Sequence, residues 1–593
     1  MKLYSKLSES ILVGFEDLFG ATITEDQIQL QKTKKEFEGH VTLVVFPLLK
    51  LTKKGPEQSA ETIGTYLKEK SGLVSDFNVV KGFLNLEIAP SVWLNIFNGI
   101  ISTPNYGFAQ SPSGKTYMVE YSSPNTNKPL HLGHLRNIFL GYSVAEILKA
   151  NGHKVVKTQI INDRGIHICK SMLAWQKFGN GETPSSSGLK GDHLIGKYYV
   201  KFDQEYKTQI KELVAAGKSQ EDAEQDAPIM MEAREMLRQW EAKDPEIYSL
   251  WETMNSWVYE GFNATYETMG VDFDSLYYES DTYILGKDVV EEGLSKGVFY
   301  QKEDGSVWCD LSEEKMDDKL LLRGDGTSVY MTQDIGTAIE RFKDHPDLSG
   351  MIYTVGNEQN HHFKVLFAIL RKLGYSWADE CYHLSYGMVE LPEGKMKSRE
   401  GTVVDADDLM ATVINDAREM TEERGHIDGL TEEQKEDLYA TIGLGGLKYY
   451  LLKVDPKSKM LFDPKESIDL NGNTGPFIQY TFARIQSVLR NSGDLKNTVD
   501  LNLPLSNVEI ELMQHLADFE EIIAKAGMEY SPALLANYIY ELVKLYNSFY
   551  QSISILKEEN ENLRTFRILL SKQVGEAIRS SMKLIGVNVP ERM

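Results

Sequence analysis

At roughly 150 residues per domain, a chain of 593 residues has room for three to five domains, and 42% hydrophobic with 25% charged residues is typical of soluble globular proteins. No apolar run reaches about 18 residues, which argues against a membrane span, and three dispersed cysteines argue against a disulfide scaffold or a thiolate zinc site. The net charge of −24 disfavours nucleic-acid binding only mildly, because charges are screened over about 8 Å and a local basic groove can act on an acidic protein.

The first 110 residues are predicted to form a separate α/β domain. The opening segment is predicted to be an amphipathic helix rather than a signal peptide, because acids interrupt its apolar residues, and we therefore expect a cytoplasmic protein. HVTLVVFPLLKL (40–51) and FNVVKGFLNLEIAP (77–90) are predicted strands, with a helix between them at 55–70. The Ser-, Pro- and Gly-rich segment 102–115 predicts a linker.

A strand, a helix and a second strand follow within some 45 residues. TYMVEYSS (116–123) alternates apolar and polar residues, and HKVVKTQII (153–161) is the second strand. Between them, apolar residues recur at helical spacing: Leu132, Leu135, Ile138, Phe139, Tyr142, Ala145 and Leu148. Such a unit predicts a parallel sheet, in which ligands bind at the carboxyl ends of the strands.

The remaining chain is predicted to contain an insertion, a second half of the sheet and a helical end. Residues 175–265 are mostly polar helix, which we interpret as an insertion. SVYMTQDIG (328–336), GMIYTVG (350–356) and YHLSYGMVEL (382–391) are predicted strands. We divide the chain into an N-terminal domain, a sheet domain, a connecting helical region and a helical C-terminal domain: 1–110, 111–410, 411–464 and 465–593.

The segment SSPNTNKPLHLGHLRN (122–137) lies at the predicted strand-to-helix turn. His131 and His134 share one helix face but have no third ligand at a recognisable spacing, which disfavours a metal site. Two structural histidines at a helix start remain an alternative. A helix N-terminus with unpaired N–H groups, a lysine at Lys128 and close backbone approach at Gly133 favour a polyanion such as a triphosphate.

Two short motifs here resemble the signatures of class I aminoacyl-tRNA synthetases. HLGH (131–134) resembles their HIGH tetrapeptide, and GKMKSREG (394–401) resembles their KMSKS loop, in the order that family shows. Further segments are similar to the arginyl-tRNA synthetase family: VEYSSPNTNKPLHLGHLRN, SVYMTQDIG, VGNEQNHHF, TGPFIQYTFARI, KGFLNLEI and the ending GVNVPERM. The resemblance covers nearly the whole chain and is weakest over residues 175–265.

The resemblance implies a Rossmann-like catalytic domain with a helical insertion, a small α/β N-terminal domain that contacts tRNA, and an all-α anticodon-binding domain. It implies an arginine–tRNA ligase that forms arginyl-adenylate from L-arginine and ATP with Mg²⁺, and then transfers arginine to the terminal adenosine of tRNA(Arg). It also implies that exchange of pyrophosphate into ATP requires tRNA. We expect a monomer with no membrane partner.

Roles for individual residues come from the same resemblance. The catalytic groups on the phosphates would be Lys128, His131, His134 and Lys395, and further nucleotide contacts would come from Gly133, His362, Met396 and Ser398. The arginine pocket would be formed by Glu120, Asn125, Tyr330, Asp334 and Gln359, with Glu279 as a weaker candidate. Asp334 would pair with the guanidinium, which has donors and no acceptor. No residue is assigned as a metal ligand.

The sequence departs from the family's usual pattern at two places. Ser398 stands where the second lysine of KMSKS is usual, and Lys128 would supply that charge, as in family members that lack the second lysine. Lys397 is an additional lysine that either joins the phosphates or points into water. Arg164 stands where many relatives have tryptophan, and we predict no specific contact there.

For tRNA, the C-terminal helices carry aromatic residues among bases. Tyr480, Phe482, Arg484 and Arg490 would stack on unpaired anticodon bases, unless the two aromatic residues belong to a helix-bundle core. Three other functions remain as alternatives: another class I synthetase, a small-molecule nucleotidyltransferase, and a tRNA-binding relative with a decayed site. The long helical C-terminal region disfavours the second, and intact signature residues disfavour the third.

Overall fold

The computed structural model describes residues 2–390, 392, 404–424, 429–493 and 498–593. The N-terminal region is an antiparallel sheet in the order β1-β2-β4-β3 with helices packed on it. Its elements are α1 (Lys2–Phe19), β1 (Gln29–Lys32), β2 (Val41–Val44), α2 (Leu49–Thr52), α3 (Pro56–Lys70), β3 (Val74–Val80), β4 (Phe83–Ile88) and α4 (Pro90–Ser102).

The central region is a parallel sheet in the order β12-β11-β5-β6-β7. Met118 of β5 lies opposite Met351 of β11, and Tyr117 lies opposite Val155 of β6. The elements that build this sheet are β5 (Thr116–Glu120), α5 (Leu132–Ala150), β6 (Lys154–Ile161), α6 (Ile166–Phe178), β7 (Ser275–Tyr278), β11 (Leu348–Gly356), α15 (Asn360–Lys372) and β12 (Cys381–Tyr386). This is the parallel sheet that the strand–helix–strand pattern predicts.

Two groups of elements interrupt the sheet. The insertion after α6 is helical: α7 (Pro184–Ser187), α8 (Gly191–Ala215), α9 (Gln220–Asp226), α10 (Pro228–Glu241) and α11 (Pro245–Met269). A small antiparallel sheet with flanking helices follows β7: α12 (Glu279–Thr282), α13 (Leu285–Ser295), β8 (Phe299–Gln301), β9 (Val307–Cys309), β10 (Lys319–Leu322) and α14 (Tyr330–Asp344).

The C-terminal region is a helical bundle. The short strands β13 (Val389–Glu390) and β14 (Met460–Leu461) pair in parallel beside it. Its helices are α16 (Ala406–Arg424), α17 (Glu432–Leu452), α18 (Pro464–Ser467), α19 (Gly475–Arg490), α20 (Asn507–Ala517), α21 (Phe519–Met528), α22 (Pro532–Ser552) and α23 (Glu561–Leu584). Among the described helices, none is both long and apolar enough to cross a membrane.

Helix α5 lies between the sheet and this bundle. It packs on β5, β6 and β11 and also contacts α16, α17, α21, α22 and α23. Its side chains are buried around most of its circumference, as expected of a helix that is hydrophobic on all sides. A Cβ at Gly141 would lie 2.4 Å from the Cβ of Tyr121, so glycine allows the helix to approach the end of β5.

The structure corrects four sequence predictions. FNVVKGFLNLEIAP (77–90) is not one strand, because the chain turns at Lys81 and Gly82, both with positive φ, and β3 and β4 pair antiparallel on either side of that turn. YHLSYGMVEL (382–391) is divided between β12 and β13, which belong to different sheets. SVYMTQDIG (328–336) is not a strand but the start of α14, because its apolar residues continue at helical spacing into Ile335, Ala338 and Ile339, which are buried. In HVTLVVFPLLKL (40–51) only Val41–Val44 is a strand, and the chain then forms a helical turn around Pro47, which cannot donate to a ladder.

Candidate functional site

A strained turn follows β5 at the carboxyl edge of the parallel sheet. Ser122 and Ser123 both adopt left-handed backbone conformations, with φ of 72° and 46°. Asn137 of α5 holds the turn by accepting a hydrogen bond from Ser122 N at 2.6 Å, and Ser122 Oγ lies 2.7 Å from the hydroxyl of Tyr266. Non-glycine residues keep such conformations only where the surrounding structure imposes them, so this turn marks a candidate functional site.

The two histidines cap the first turn of α5 reciprocally. Nδ1 of His131 accepts from Gly133 N at 3.1 Å, and Nδ1 of His134 accepts from His131 N at 3.1 Å. The two rings lie 3.9 Å apart. Because each Nδ1 serves as an acceptor, each neutral ring carries its proton on Nε2, which leaves two N–H donors beyond the cap.

Both imidazoles are neutral at physiological pH. Burial and the nearby charge of Lys128 together lower the pKa of His131 to about 4, against the opposing effect of Asp405. Burial, His131 and Lys128 hold the pKa of His134 well below its ordinary value. The helix start therefore presents neutral hydrogen-bond donors next to one ammonium group.

That ammonium group belongs to Lys128, on the wall of a cleft of about 740 Å³. Burial lowers the pKa of Lys128, and no ion pair is found for it within the described part of the chain. The cleft also brings Asn125, Glu279 and Tyr330 together, and Tyr330 is 73% exposed. The predicted phosphate residue and three predicted arginine residues thus share one cavity.

Two residues predicted to bind arginine, Glu279 and Asp334, are carboxylates that lie close enough to influence each other. Burial raises the pKa of Glu279 to about 7, an effect that Arg164 opposes and that the negative charges of Asp334 and Asp163 reinforce. Asp334 Oδ2 lies 2.6 Å from Nε2 of His362. These carboxylates therefore attract a cation such as a guanidinium.

Gln359 and Glu120 occupy different surroundings. Gln359 is exposed in the helical turn before α15. Glu120 is buried and pairs through Oε2 with Arg341 at 2.5 Å, while Ser123 donates to Oε1 at 3.3 Å. The contact of Glu120 with an amino acid stays a prediction, and the structure gives it the additional task of fixing the serine turn.

The described chain that resumes at residue 404, after the second signature, lies against the start of α5. Val404 O accepts from Leu132 N at 3.1 Å, and Ala406 N donates to Leu130 O at 3.0 Å. The chain that follows the second signature is therefore next to the first signature in space. The predicted nucleotide contacts in the second signature lie outside the described residues: Lys395, Met396, Lys397 and Ser398.

Arg164 is a cleft residue for which the sequence predicted no contact. Its guanidinium lies 3.9 Å from the ring centre of Tyr283 and 5.3 Å from that of Trp240, and it pairs with Glu241 at 3.1 Å. Its departure from the usual tryptophan was the available signal. Asn137 ends the first motif, and that position could have marked it as a site residue. Nothing in the sequence connects Arg341 with Glu120.

The four C-terminal residues proposed for RNA stacking fall into different environments. Phe482 is fully buried, which confirms the core alternative for it, while Tyr480 is 39% exposed. Arg484 lies 5.0 Å from the ring centre of Tyr480 and donates to Asn547 at 2.6 Å. Arg490 donates to Glu591 O at 3.0 Å.

Comparison with known proteins gives two family matches. The model described as "tRNA synthetases class I (R), catalytic domain" matches residues 97–463, and that of the "DALR anticodon binding domain" matches residues 478–593. Curated proteins named arginine–tRNA ligase are similar over the full length of both chains: 58% identity for that of Bacteroides fragilis and 59% for that of Phocaeicola vulgatus.

Solved structures share the fold. The arginyl-tRNA synthetase of Thermus thermophilus is 23% identical with a TM-score of 0.76, and that of Plasmodium falciparum is 17% identical with a TM-score of 0.73. Each comparison covers 99% of both chains. At these identities the likeness establishes the architecture of the chain from end to end.

Proposed function

The chain belongs to the arginyl-tRNA synthetase family of class I enzymes, and from that premise we propose how its cleft divides the reaction among its residues. It is an arginine–tRNA ligase, which joins L-arginine to the 3′ end of tRNA(Arg) with ATP as substrate. The observation that carries the proposal is that Lys128, Glu279 and Tyr330 line one cleft, and that Lys128 lies near a helix start with two neutral imidazole donors.

The donor side binds the triphosphate of ATP. His131 and His134 donate their Nε2 protons to phosphate oxygens, and Lys128 adds a positive charge from the cleft wall. Because both rings are neutral, binding requires no change of protonation on them. Lys395 supplies the second cation, and Gly133 leaves the backbone at the helix start accessible. His362, Met396 and Ser398 complete the nucleotide contacts.

The acceptor side binds L-arginine. Asp334 and Glu279 accept from the guanidinium, with Tyr330 and Gln359 beside them, and Asn125 and Glu120 hold the α-amino and carboxylate end. A planar guanidinium satisfies two carboxylates with several donors at once, whereas an ammonium cannot, so this geometry favours arginine over lysine.

In the first step the arginine carboxylate oxygen attacks the α-phosphorus of ATP, and the bond from that phosphorus to the bridging oxygen of pyrophosphate breaks. In the second step a hydroxyl of the terminal adenosine of tRNA attacks the adenylate carbonyl, and AMP leaves. Neither step needs a covalent protein nucleophile, so positioning and charge stabilisation carry the rate.

The groups on the phosphate side are hydrogen-bond donors and do not fit Mg²⁺ as ligands. We infer that Mg²⁺ is held by the triphosphate oxygens, where it offsets their charge. No step is assigned to a metal bound by protein side chains.

Recognition of tRNA involves the outer regions. The N-terminal region exposes Phe46, in the helical turn after β2, and Phe83 of β4, whose rings meet edge to face at 5.5 Å, and Lys81 lies in the β3–β4 turn just before Phe83. Exposed aromatic rings among lysines suit unpaired RNA bases. We assign tRNA contact to residues 1–110, catalysis to 111–410 and anticodon binding to 465–593, with 411–464 as connection.

We further infer a monomer that works in the cytoplasm, because the regions assigned to catalysis and to tRNA contact lie within one chain. A mass of 67.2 kDa in solution, measured by light scattering, tests the monomer. For the activity, aminoacylation of tRNA(Arg) is measured with each standard amino acid, and pyrophosphate exchange is measured with and without tRNA. Charging by another amino acid and not by arginine would overturn the assignment.

A further inference from the structure

Helix α8 of the insertion contacts the phosphate side of the cleft at two places. At Gly196, an added Cβ would lie 2.8 Å from Cδ of Pro129 and 3.8 Å from Cα of Lys128. One helical turn earlier, His193 faces the segment that begins α16. The insertion therefore touches both chain segments that meet at the start of α5.

The second contact is a cluster of charges. Nε2 of His193 lies 3.2 Å from Oδ2 of Asp405 and 3.2 Å from Oδ2 of Asp407. The ammonium of Lys190 contacts Asp407 directly and lies 3.4 Å from Asp192, which is fully buried. Asp192 is the buried member, so loss of its partner Lys190 would leave an uncompensated buried charge.

The cluster is connected to the catalytic helix through the backbone. Asp405 Oδ1 accepts from the backbone N–H groups of Asp407 and Asp408 at 2.8 and 3.2 Å, which caps α16. Its neighbours Val404 and Ala406 bond to Leu132 and Leu130 on either side of His131. A shift of α8 is thus transmitted through two short hydrogen-bonded steps to the histidine.

The cluster also has the donor types of a metal site, since ligand atoms of Asp192, His193 and Asp407 lie within 4.8 Å of one another. Two cationic side chains of the protein already pair with these carboxylates. Lys190 lies against two of them, and hydrogen bonds to Asp405 and Asp407 raise the pKa of His193 to about 10 against the effect of burial. The structure therefore gives these carboxylates two cationic partners from the chain itself.

We propose that α8 is a brace for ATP binding, in which Lys190, His193 and Gly196 act as positioning residues that hold the turn at Pro129 and the start of α5 in register. The inference rests on the proposed function, because it assigns the insertion a task in the ATP-binding half of that site. The acceptor side of the cleft, built from α12 and α14, does not take part.

The main test compares His193→Gln with Lys197→Met, a matched control on the same helix whose ammonium pairs with Glu182 at 2.7 Å on the exposed surface. Pyrophosphate exchange with tRNA present gives KM and kcat for each substrate. We expect His193→Gln to lower kcat/KM for ATP about tenfold through misplaced phosphate donors, with KM for arginine within about twofold. Lys197→Met is expected to match wild type in both.

Two further variants protect the test against misfolding. His193→Lys returns a cation to the cluster and is expected to recover most of the ATP effect, which a loss of general stability would not allow. Gly196→Ala moves Pro129 without altering charge and is expected to lower kcat/KM for ATP in the same way. Equal effects on ATP and arginine, or no difference from Lys197→Met, would overturn the brace.

The outcomes separate this inference from the proposed function. If wild type shows no arginine-dependent exchange, the proposed function falls. If wild type is active and the α8 variants match the control, the brace alone falls. Stoichiometric uptake of Zn²⁺ by wild type that Asp407→Asn abolishes would show that the cluster is a metal site instead.

Discussion

The two proposed halves of the site differ in charge and in exposure to solvent. On the phosphate side, His131 and His134 are neutral, buried and fixed by backbone hydrogen bonds to each other's turn. On the arginine side, Glu279 and Asp334 are partly exposed and repel each other, with Glu279 titrating near pH 7. The histidine side is therefore ordered before substrate binds. On the carboxylate side, a bound cation relieves the repulsion between Glu279 and Asp334.

This difference predicts different responses to change. A preorganised donor set loses activity when a donor is removed but is insensitive to pH above about 5, since its imidazoles stay neutral. A set of repelling carboxylates responds to pH because the arriving cation must compete with a proton. Four experiments test the contrast.

The largest effect is expected from Asp334→Asn. The amide keeps the size of the carboxylate but turns donors toward the guanidinium, so kcat/KM for arginine should fall about 100- to 1000-fold. KM for ATP should change little. Steady-state pyrophosphate exchange measures both, and Asp344→Asn at the exposed end of the same helix is the control. An unchanged constant for arginine would move the guanidinium site elsewhere.

Next in size is the pair His134→Asn and His134→Gln. Asparagine keeps an acceptor near the position of Nδ1 and loses the outer N–H, so kcat should fall about 100-fold with little change in thermal midpoint. Glutamine keeps the outer donor and loses the cap, so it should retain more activity and unfold at a lower temperature. The reverse order of the two variants would make His134 a purely structural cap.

Lys128→Ala should reduce kcat/KM for ATP by about tenfold, because one ammonium facing the triphosphate is lost. The constant for arginine should stay the same. The control is Lys154→Ala, at the amino end of β6, because the site lies at the carboxyl edge of the sheet. If adenylation stays within a few-fold of wild type, Lys128 is a structural residue and the second signature provides the charge alone.

The smallest effect concerns pH. Burial raises the pKa of Glu279 to about 7, so its carboxylate forms as pH rises through 7, and arginine should bind several-fold more tightly at pH 8 than at pH 6. Because this pKa is raised from 4.5, the shift stabilises the folded state at low pH, and that contribution is lost as pH rises from 4.5 through 7. The stabilisation of the protein by bound arginine should grow as pH rises from 6 to 8, because the carboxylate that binds arginine forms over that interval. Calorimetric titration checks this, and Glu279→Gln should flatten the profile.

Local patterns predicted much of the fold and half of the cleft. The βαβ unit follows from apolar periodicity around Leu132–Leu148, and the phosphate side follows from one contiguous motif that a helix start explains. The resemblance added the arginine residues, of which Tyr330 and Glu279 line the same cavity as Lys128. These predictions share one origin, namely information that is short-range or carried by a motif.

What the sequence could not predict depends on contacts between distant segments. The pairing of Glu120 with Arg341, and of His193 with Asp405, joins residues more than 200 positions apart with no pattern to connect them. The strand predicted at 328–336 failed because a short alternation resembles a helix start until later turns are included. Phe482 was ambiguous because its burial depends on which face of α19 the bundle covers.

The central position of α5 has a consequence for local unfolding. A helix that contacts both the parallel sheet and the C-terminal bundle cannot open without breaking both interfaces, so its backbone amides should exchange with solvent only when the whole molecule opens. We expect the same protection from exchange for the backbone amides of the histidines at its first turn. The proposed phosphate donors thus begin a helix whose rigidity depends on both interfaces, and we expect a weakened interface in the bundle to lower activity.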